Sequence, residues 1–522
     1  MSETPRKNHE ANQEEVMAFL SSPDAYGSAV VRVERIDTHA AVVFLAGDAA
    51  YKIKRAVRFP FLDFTTLARR RHFCEREVVI NRRTAPELYL GTVAIARAPN
   101  GTLALGGEGE AVEWAVHMRR FDQAALFDRM AQEGRLAPGL MAATADAIRA
   151  FHERAERLFG ADAVGGGAKA VGRAIEENLD AFAAHPDVFP SSGLRRLREA
   201  MGAAFDGVRD LLDARVVAGF TRHCHGDLHL RNLCLIEGRP VLFDAIEFNE
   251  AFAAIDVLDD LAFLLMDLDH RGLRPFAAQV FNRYFSGEAD FSGLRALPLF
   301  LSSRAAVRAK VGIIAAANQQ TPKAKALLRA EAVAYFAAAL DYLAPPPARL
   351  VCIGGLSGSG KTSLARELAP EIGAAPGALH LRSDVVRKEL FGVAETETLP
   401  PSAYRMDVNA KVYDALERRG KSALAAGHSV ILDAVSARPE ERDAFEGLAR
   451  ACGAAFFGIW LEAAPETMRE RVDTRVGDAS DATVSVLDRQ LLGETGPIAW
   501  HRLSTDRSLG DVAGSARALL SG

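Results

Sequence analysis

The run Gly355-Leu356-Ser357-Gly358-Ser359-Gly360-Lys361-Thr362 fits the pattern G-x-x-x-x-G-K-[ST]. Glycines at this spacing let backbone N–H groups turn inward around phosphate oxygens. Lys361 can reach the β- and γ-phosphates of a nucleotide, and the Thr362 hydroxyl can ligate Mg²⁺. Such a loop needs a strand before it and a helix after it. The apolar run Leu350–Ile353 and the helix-patterned Ser363–Leu368 supply both. Asp384 lies just past a second apolar run, Ala378–Leu381, where a doubly wound sheet places ligand-contacting groups. Arg387 stands one helical turn further on, able to share its face. A carboxylate there can take the proton of an acceptor hydroxyl, and the arginine can hold an anion or the transferring phosphate. Asp433 ends the apolar run Ser429–Leu432, a position suited to ligating Mg²⁺ through water. Arg471 and Arg475, at i and i+4, are expected on one helix face as arginines that stabilise charge on the moving phosphoryl group.

A second constellation lies upstream. His225-Gly226-Asp227-Leu228-His229-Leu230-Arg231-Asn232 fits H-x-D-x-x-x-x-N. Asp227 would orient or accept the proton of an acceptor hydroxyl, and Asn232 would ligate Mg²⁺ from the end of the same loop. Past the strand-like Pro240–Phe243 comes Asp244, suited to grip a Mg²⁺ that bridges nucleotide phosphates. Such a kit also needs a strand lysine for the α- and β-phosphates and a helical glutamate to hold it. The strand around Tyr51–Lys54 offers Lys52 and Lys54 on one face, with Lys52 preferred as nearer the turn. Glu77 is the expected partner and Glu75 the alternative. Glu113–Arg120 is the expected strand into a hinge that holds adenine. His229 is expected to stabilise the loop, and Asp256 and Asp260 to brace it.

These residues need elements to position them. Val42–Leu45 and Tyr51–Ile53 pattern as strands around the turn Gly47-Asp48, Leu67–Arg83 as a charged helix, and Val112–Phe121 as a strand. Residues 138–215 are helical in pattern, broken at Gly165-Gly166-Gly167. Short strands recur around 223–243, and helices then run to Leu343. Pro345-Pro346-Pro347 cannot continue a helix and marks a stiff spacer. Behind it, apolar strands alternate with helices, which predicts a parallel sheet. The expected layout is a polar arm over 1–29, with residues 1–15 loosely held, a first domain over 30–344, a linker over 345–348 and a second domain over 349–522.

Residues 349–500 resemble the small P-loop kinases that phosphorylate small-molecule or polynucleotide hydroxyls. The Asp384-x-x-Arg387 pair is similar to that of the polynucleotide 5′-kinase group. The resemblance implies Asp384 as general base and Arg387 as phosphate ligand. Residues 30–340 resemble the aminoglycoside-phosphotransferase branch of the protein-kinase-like fold, whose loop takes the form H-G-D-L-H-x-x-N. Asp244 stands where protein kinases carry D-F-G. The chain departs from the kinase pattern in lacking G-x-G-x-x-G between Val30 and Tyr51, where only Gly47 occurs. In this order the halves resemble a bacterial tandem family in which an aminoglycoside-phosphotransferase-like domain is fused to an ATP-binding P-loop domain. The implied fold class is an α+β kinase-like domain, a strand-rich lobe plus a helical lobe, followed by an α/β P-loop domain with a parallel sheet.

Composition narrows the partners. The 522 residues are 49% hydrophobic and 25% charged, with a net charge of −5. That balance points away from nucleic acid, and no basic stripe is interleaved with aromatics. The apolar run Val257–Leu268 is broken by Asp259, Asp260 and Asp267, so no membrane span is expected. The start, MSETPRKNHEANQEE, lacks the apolar run of a signal peptide. The five cysteines form no C-x-x-C pair, as expected of reduced thiols in the cytoplasm. The expected activity is tandem ATP- and Mg²⁺-dependent phosphoryl transfer to small-molecule hydroxyls. An ATP-binding regulatory protein with one inactive module and a nucleic-acid end kinase remain as alternatives. No residue pattern sets an oligomeric state.

Overall fold

The computed structural model describes residues 4–38, 40–59, 62–287, 290–317, 319, 321–475 and 477–521. It divides into two compact units. Unit 1 comprises residues 1–177, 212–264 and 310–332, and unit 2 comprises 178–211, 265–309 and 333–522. Among the described residues, no helix is long and apolar enough to cross a membrane.

Unit 1 opens with α1 (Thr4–Ser21), then β1 (Val33–Asp37), β2 (Ala41–Ala46), β3 (Ala49–Lys54), the hairpin β4 (Arg58–Phe59) and β5 (Leu62–Asp63), α2 (Leu67–Asn81), β6 (Tyr89–Arg97), β7 (Leu103–Leu105) and β8 (Glu110–Arg119). Six of the strands form an antiparallel sheet in the order β1-β2-β3-β8-β6-β7. Gly47, at φ +57, closes the two-residue turn between β2 and β3. The expected loosely held arm is corrected: most of it is helix, and residues 1–3 lie outside the described residues. Val16 and Leu20 of α1 are fully buried against Val42, Phe44 and Ile53 of the sheet. Gln13 fixes the helix further, donating to Lys54 O at 2.9 Å and to Glu113 Oε2 at 2.8 Å.

The buried face of α2 carries charged and polar residues beside Cys74, Val78 and Ile80. Thr66 caps the helix, accepting from Arg69 N. Arg70, Cys74, Glu77 and Asn81 then recur at helical spacing on the inner side. A buried charge survives only when paired, so α2 is placed by its partners. Arg70 Nε donates to Glu113 Oε1 at 2.9 Å, with both groups almost wholly buried.

Further along come α3 (Phe127–Gln132), α4 (Pro138–Arg154), α5 (Gly167–Ala183) and α6 (Ser191–Val217). Two short antiparallel pairs frame the loop at 224–232. One joins β9 (Thr221–His223) to β12 (Ala254–Asp256), and the other joins β10 (Leu233–Ile236) to β11 (Arg239–Leu242). The helices α7 (Glu250–Ala253), α8 (Val257–His270), α9 (Arg274–Tyr284), α10 (Leu297–Ala317) and α11 (Pro322–Tyr342) complete this part of the chain.

Residues 345–348 carry no regular structure. After them unit 2 builds a parallel sheet from β13 (Arg349–Gly354), β14 (Leu379–Arg382), β15 (Val430–Asp433), β16 (Ala455–Glu462) and β17 (His501–Ser504). The order is β14-β15-β13-β16-β17, so the strand leading to the glycine-rich loop lies at the centre. Its helices are α12 (Lys361–Leu368), α13 (Ser383–Leu390), α14 (Met406–Ala425), α15 (Pro439–Cys452), α16 (Pro465–Asp473), α17 (Val484–Leu492) and α18 (Leu509–Ser521). α12 and α18 bury Leu364, Leu368, Val512 and Ala516 against Val351, Ile353, Ile431 and Ile459 of the sheet.

Arg70→Met should destabilise unit 1 by about 3–5 kcal/mol, because it strands Glu113 as a buried unpaired charge. Urea unfolding checks this, and an unchanged midpoint would remove the pair from the account of α2.

Candidate active sites

In unit 1 the alternation of β3 puts Lys52 and Lys54 on one face. Both reach Glu77. Lys52 Nζ donates to Glu77 Oε1 at 2.9 Å, and Lys54 Nζ donates to Oε2 at 2.6 Å. Lys52 also donates to Asp244 Oδ1 at 2.5 Å, whereas Lys54 ends on Glu247. The result is an alternating row of charges: Asp244, Lys52, Glu77, Lys54, Glu247. Burial alone would raise the Glu77 carboxyl, but the two ammonium groups outweigh it and hold it down at about 2. Burial pushes the Glu247 carboxyl up, against the pull of Lys54. The Asp244 side chain is 39% exposed while that of Glu77 is 0% exposed, so the row opens to solvent at Asp244.

Asp244 has φ +62, unusual for a residue with a side chain. The segment is fixed by Tyr89 OH, which accepts from Asp244 N at 3.1 Å, and by Asn81 Oδ1, which accepts from Ala245 N at 2.8 Å. The loop before β10 is held as firmly. Gly226 is at φ +83, and a Cβ there would lie 2.6 Å from Phe252 O, so only glycine fits. Asp260 accepts from His225 N at 3.0 Å and from Gly226 N at 2.8 Å, while Asp256 pairs with Arg215 at 2.6 Å. Asn232 Nδ2 donates to Asp227 Oδ2 and to Asp227 O, both at 2.8 Å. That commitment leaves the Asn232 side chain to present an oxygen. That oxygen and the Asp244 carboxylate are both of the donor type that fits a hard cation such as Mg²⁺. Beyond β8, a cavity of about 560 Å³ is lined by Glu34, Gly47, Asp48, Arg120, Phe121 and Asp122.

In unit 2 the loop between β13 and α12 is a cradle that a Cβ would fill. A side chain at Gly355 (φ +138) would meet Leu461 O at 2.6 Å, and one at Gly358 (φ +80) would meet Met468 O at 2.5 Å. Gly360 (φ +90) caps α12. Ser359 Oγ is buried with no hydrogen-bond partner. Lys361 Nζ folds back to donate to Leu356 O at 3.0 Å. These features fit a phosphate chain with its metal. Thr362 Oγ1 donates to Asp433 Oδ2 at 2.6 Å, so the expected metal pair is already joined. Burial would raise the Asp433 carboxyl, but His380, Arg382 and Lys361 hold it well below the usual range. Asp384 is the second residue of α13, which begins directly after β14. Burial raises its carboxyl, with the Ser480 side chain opposing, which suits a group that must take a proton.

Residues 350–494 match a family model described as an AAA domain. Over 489 residues the chain is 33% identical to the uncharacterized protein Rv2004c of Mycobacterium tuberculosis strain H37Rv, covering 91% of this chain and 94% of that protein. The chain belongs to that protein's family. Among solved structures it is similar to a choline/ethanolamine kinase family protein from Mesorhizobium loti, at 17% identity over 64% of this chain and 99% of the other, with a TM-score of 0.36. It is also similar to a gluconokinase from Sinorhizobium meliloti, at 22% identity over 34% of this chain and 92% of the other, with a TM-score of 0.25.

The layout expected from sequence is present: a strand-rich sheet followed by helices in front, and behind it a glycine-rich loop on a five-stranded parallel sheet, most of it within the matched AAA domain. The structure brings Lys52, Glu77 and Asp244 together, as it does Asp227 with Asn232 and Thr362 with Asp433. Glu75 instead pairs with Arg71 on the surface. Arg387 lies over the Tyr404 ring and donates to Ala403 O at 2.8 Å. Arg471 reaches the loop, with Nη1 3.4 Å from Gly358 O, and is tied to Thr505. Arg475 departs from expectation. α16 stops at Asp473, so Arg475 lies past the helix and shares no helix face with Arg471.

Sequence reasoning missed Glu247, whose signal was a carboxylate three positions after Asp244. It also missed His380 and Arg382, which flank Asp433 from β14 at 3.3 and 3.7 Å. Gln490, whose Oε1 accepts from Ser357 N at 2.9 Å, had no local signal. The two lysines should separate on substitution. Lys52→Met should weaken binding of an ATP analogue about tenfold or more, from the loss of a charge-assisted hydrogen bond of about 1.5–3 kcal/mol. Lys54→Met should instead cost about 3–5 kcal/mol of stability. Calorimetry and urea unfolding distinguish them, and the opposite assignment would make Lys54 the nucleotide lysine.

Proposed function

We propose that the chain is a tandem ATP-dependent phosphotransferase that moves the γ-phosphoryl group of ATP to hydroxyls of small-molecule acceptors at two sites. One observation carries this reading. Each site joins a phosphate-reaching lysine to carboxylates of two kinds, one suited to a metal and one to a proton. In front, Lys52 bonds Asp244, and the loop of Asp227 is tied to the Asp244 segment through Ile246 N and His225 O; behind, Lys361 lies within electrostatic reach of Asp433 and Asp384. Mg²⁺, when bound, would neutralise charge on the phosphates.

The protein's own groups carry the remaining roles. In front, Glu77 holds Lys52 extended, and Asn232 fixes the Asp227 carboxylate. Asp227 takes the proton as the acceptor oxygen bonds to phosphorus and ADP departs. Behind, the N–H groups of the Gly355–Thr362 loop surround the phosphates, and Lys361 unfolds from Leu356 O to meet them. Asp384 takes the acceptor's proton, while Arg387 and Arg471 offset charge on the phosphoryl group. The net charge of −5 and the missing basic stripe support small acceptors over nucleic acid.

Calorimetry of the full chain with Mg²⁺ and a non-hydrolysable ATP analogue should show two sites, with Lys361→Ala losing one of them. A single site in the wild type sinks the tandem reading. Asp227→Asn should slow front-site transfer by about 10²–10⁴-fold with nucleotide affinity little changed, because it acts on the transition state. Asp244→Asn should weaken Mg·ATP binding itself. Equal loss of nucleotide affinity in both variants would undo this division of roles.

A further inference from the structure

β14 is an edge strand, so one side of its backbone has no neighbouring strand. That edge is met by α9, which lies before the triple proline in sequence and in unit 2 in space. Asn282 Oδ1 accepts from His380 N at 2.6 Å, and Asn282 Nδ2 donates to Ala378 O at 3.1 Å. The side-chain amide thus makes the two bonds that the C=O and N–H of one residue in a next parallel strand would make. A second bond to Ala278 O at 2.9 Å keeps the amide in this orientation.

The grip continues past the strand. β14 ends at Arg382 and α13 begins at Ser383, with no residue between them, so Asp384 sits at the joint. At the far end of α13, Glu389 Oε1 accepts from Gly287 N at 2.6 Å, and Glu389 Oε2 accepts from Arg419 at 2.5 Å. Arg283 pairs with Glu395 just beyond the helix, also at 2.6 Å. Phe281 packs on the His428 ring, and His428 Nε2 lies 2.9 Å from Gly377 O at the entry to β14. Residues 281–287 therefore hold both ends of the strand–helix element that carries the rear base.

We propose that Asn282 is a positioning residue for the rear site: its amide completes the free edge of β14 and so sets where Asp384 stands. The inference rests on the reading of that site as a phosphotransferase. It makes the rear site depend on a helix encoded before the linker, so residues 349–522 alone do not contain everything that aims the base. The nucleotide loop lies at the other end of this dependence. It follows β13, two strands away from the edge, and its cradle is shaped by Leu461 and Met468; β14 reaches it through His380 and Arg382 at Asp433.

The test uses the full chain in an Asp244→Asn background, which weakens Mg·ATP binding at the front site, with Mg·ATP and water as acceptor, and counts only the ADP formation that Lys361→Ala abolishes. Asn282→Leu keeps the bulk and loses both bonds. ADP formation should fall by about 10²-fold, the size of effect that a misplacement of about 1 Å produces, while affinity for a non-hydrolysable ATP analogue falls much less than the rate does. Asn282→Asp, which keeps the bond from His380 N and loses the donor to Ala378, should fall between the two. Amide exchange at His380 should be protected in the parent and faster in Asn282→Leu, which reports the edge bond independently of turnover. An unchanged rate, a rate that falls only in step with nucleotide affinity, or an unprotected His380 amide overturns the proposal. If the parent forms no ADP that Lys361→Ala abolishes, the phosphotransferase reading of the rear site fails, and the proposal fails with it.

Discussion

A carboxylate taken fully out of water must be surrounded by cations, and Glu77 is where unit 1 meets that demand. Its two oxygens are divided between Lys52 and Lys54. The lysines in turn reach two different carboxylates in the 244–247 segment. β3, α2 and the segment after β11 are therefore tied through one side chain. Buried ion pairs contribute little net stability against apolar replacements, but removing one member is costly. The row thus specifies an arrangement more than it stabilises one. It keeps α2 against the sheet and Lys52 beside Asp244.

The second site meets a similar demand by another route. Asp433 is buried at the end of a central-sheet strand, with Thr362, His380 and Arg382 around it. Here the backbone does more of the work. The glycine cradle forms because carbonyls of Leu461 and Met468 stand where side chains would lie. In front, side chains shape the site around Glu77; behind, main chain shapes the glycine loop. That contrast explains why Lys52 must be held extended by Glu77, whereas Lys361 can rest on its own loop.

Most of both sites was legible because their residues lie in short loops with fixed spacing. Within 225–232 and 355–362, local sequence sets local geometry. What escaped notice depends on distance along the chain. Glu247 meets Lys54 across 193 positions, and Gln490 meets Ser357 across 133. The α1 helix was misjudged because its sequence is mostly polar; a few buried residues and the bonds of Gln13 hold it. Arg475 was misplaced because i, i+4 spacing places residues on one face only while the helix lasts. β17 was missed for a further reason: its residues are half or fully exposed, so no apolar run marks it.

The linker and the compact units answer different physical questions. Three prolines fix where a helix must stop, and residues 345–348 are indeed without regular structure. They do not fix which surfaces bury each other. An edge strand of four residues leaves unpaired backbone groups, and the nearest group able to satisfy them decides what packs there. For β14 that group is the amide of Asn282, encoded well before the prolines. Chain order is therefore a poor guide to the unit that owns α9. A boundary drawn from composition divides the sequence at a place where hydrogen bonding keeps the structure joined.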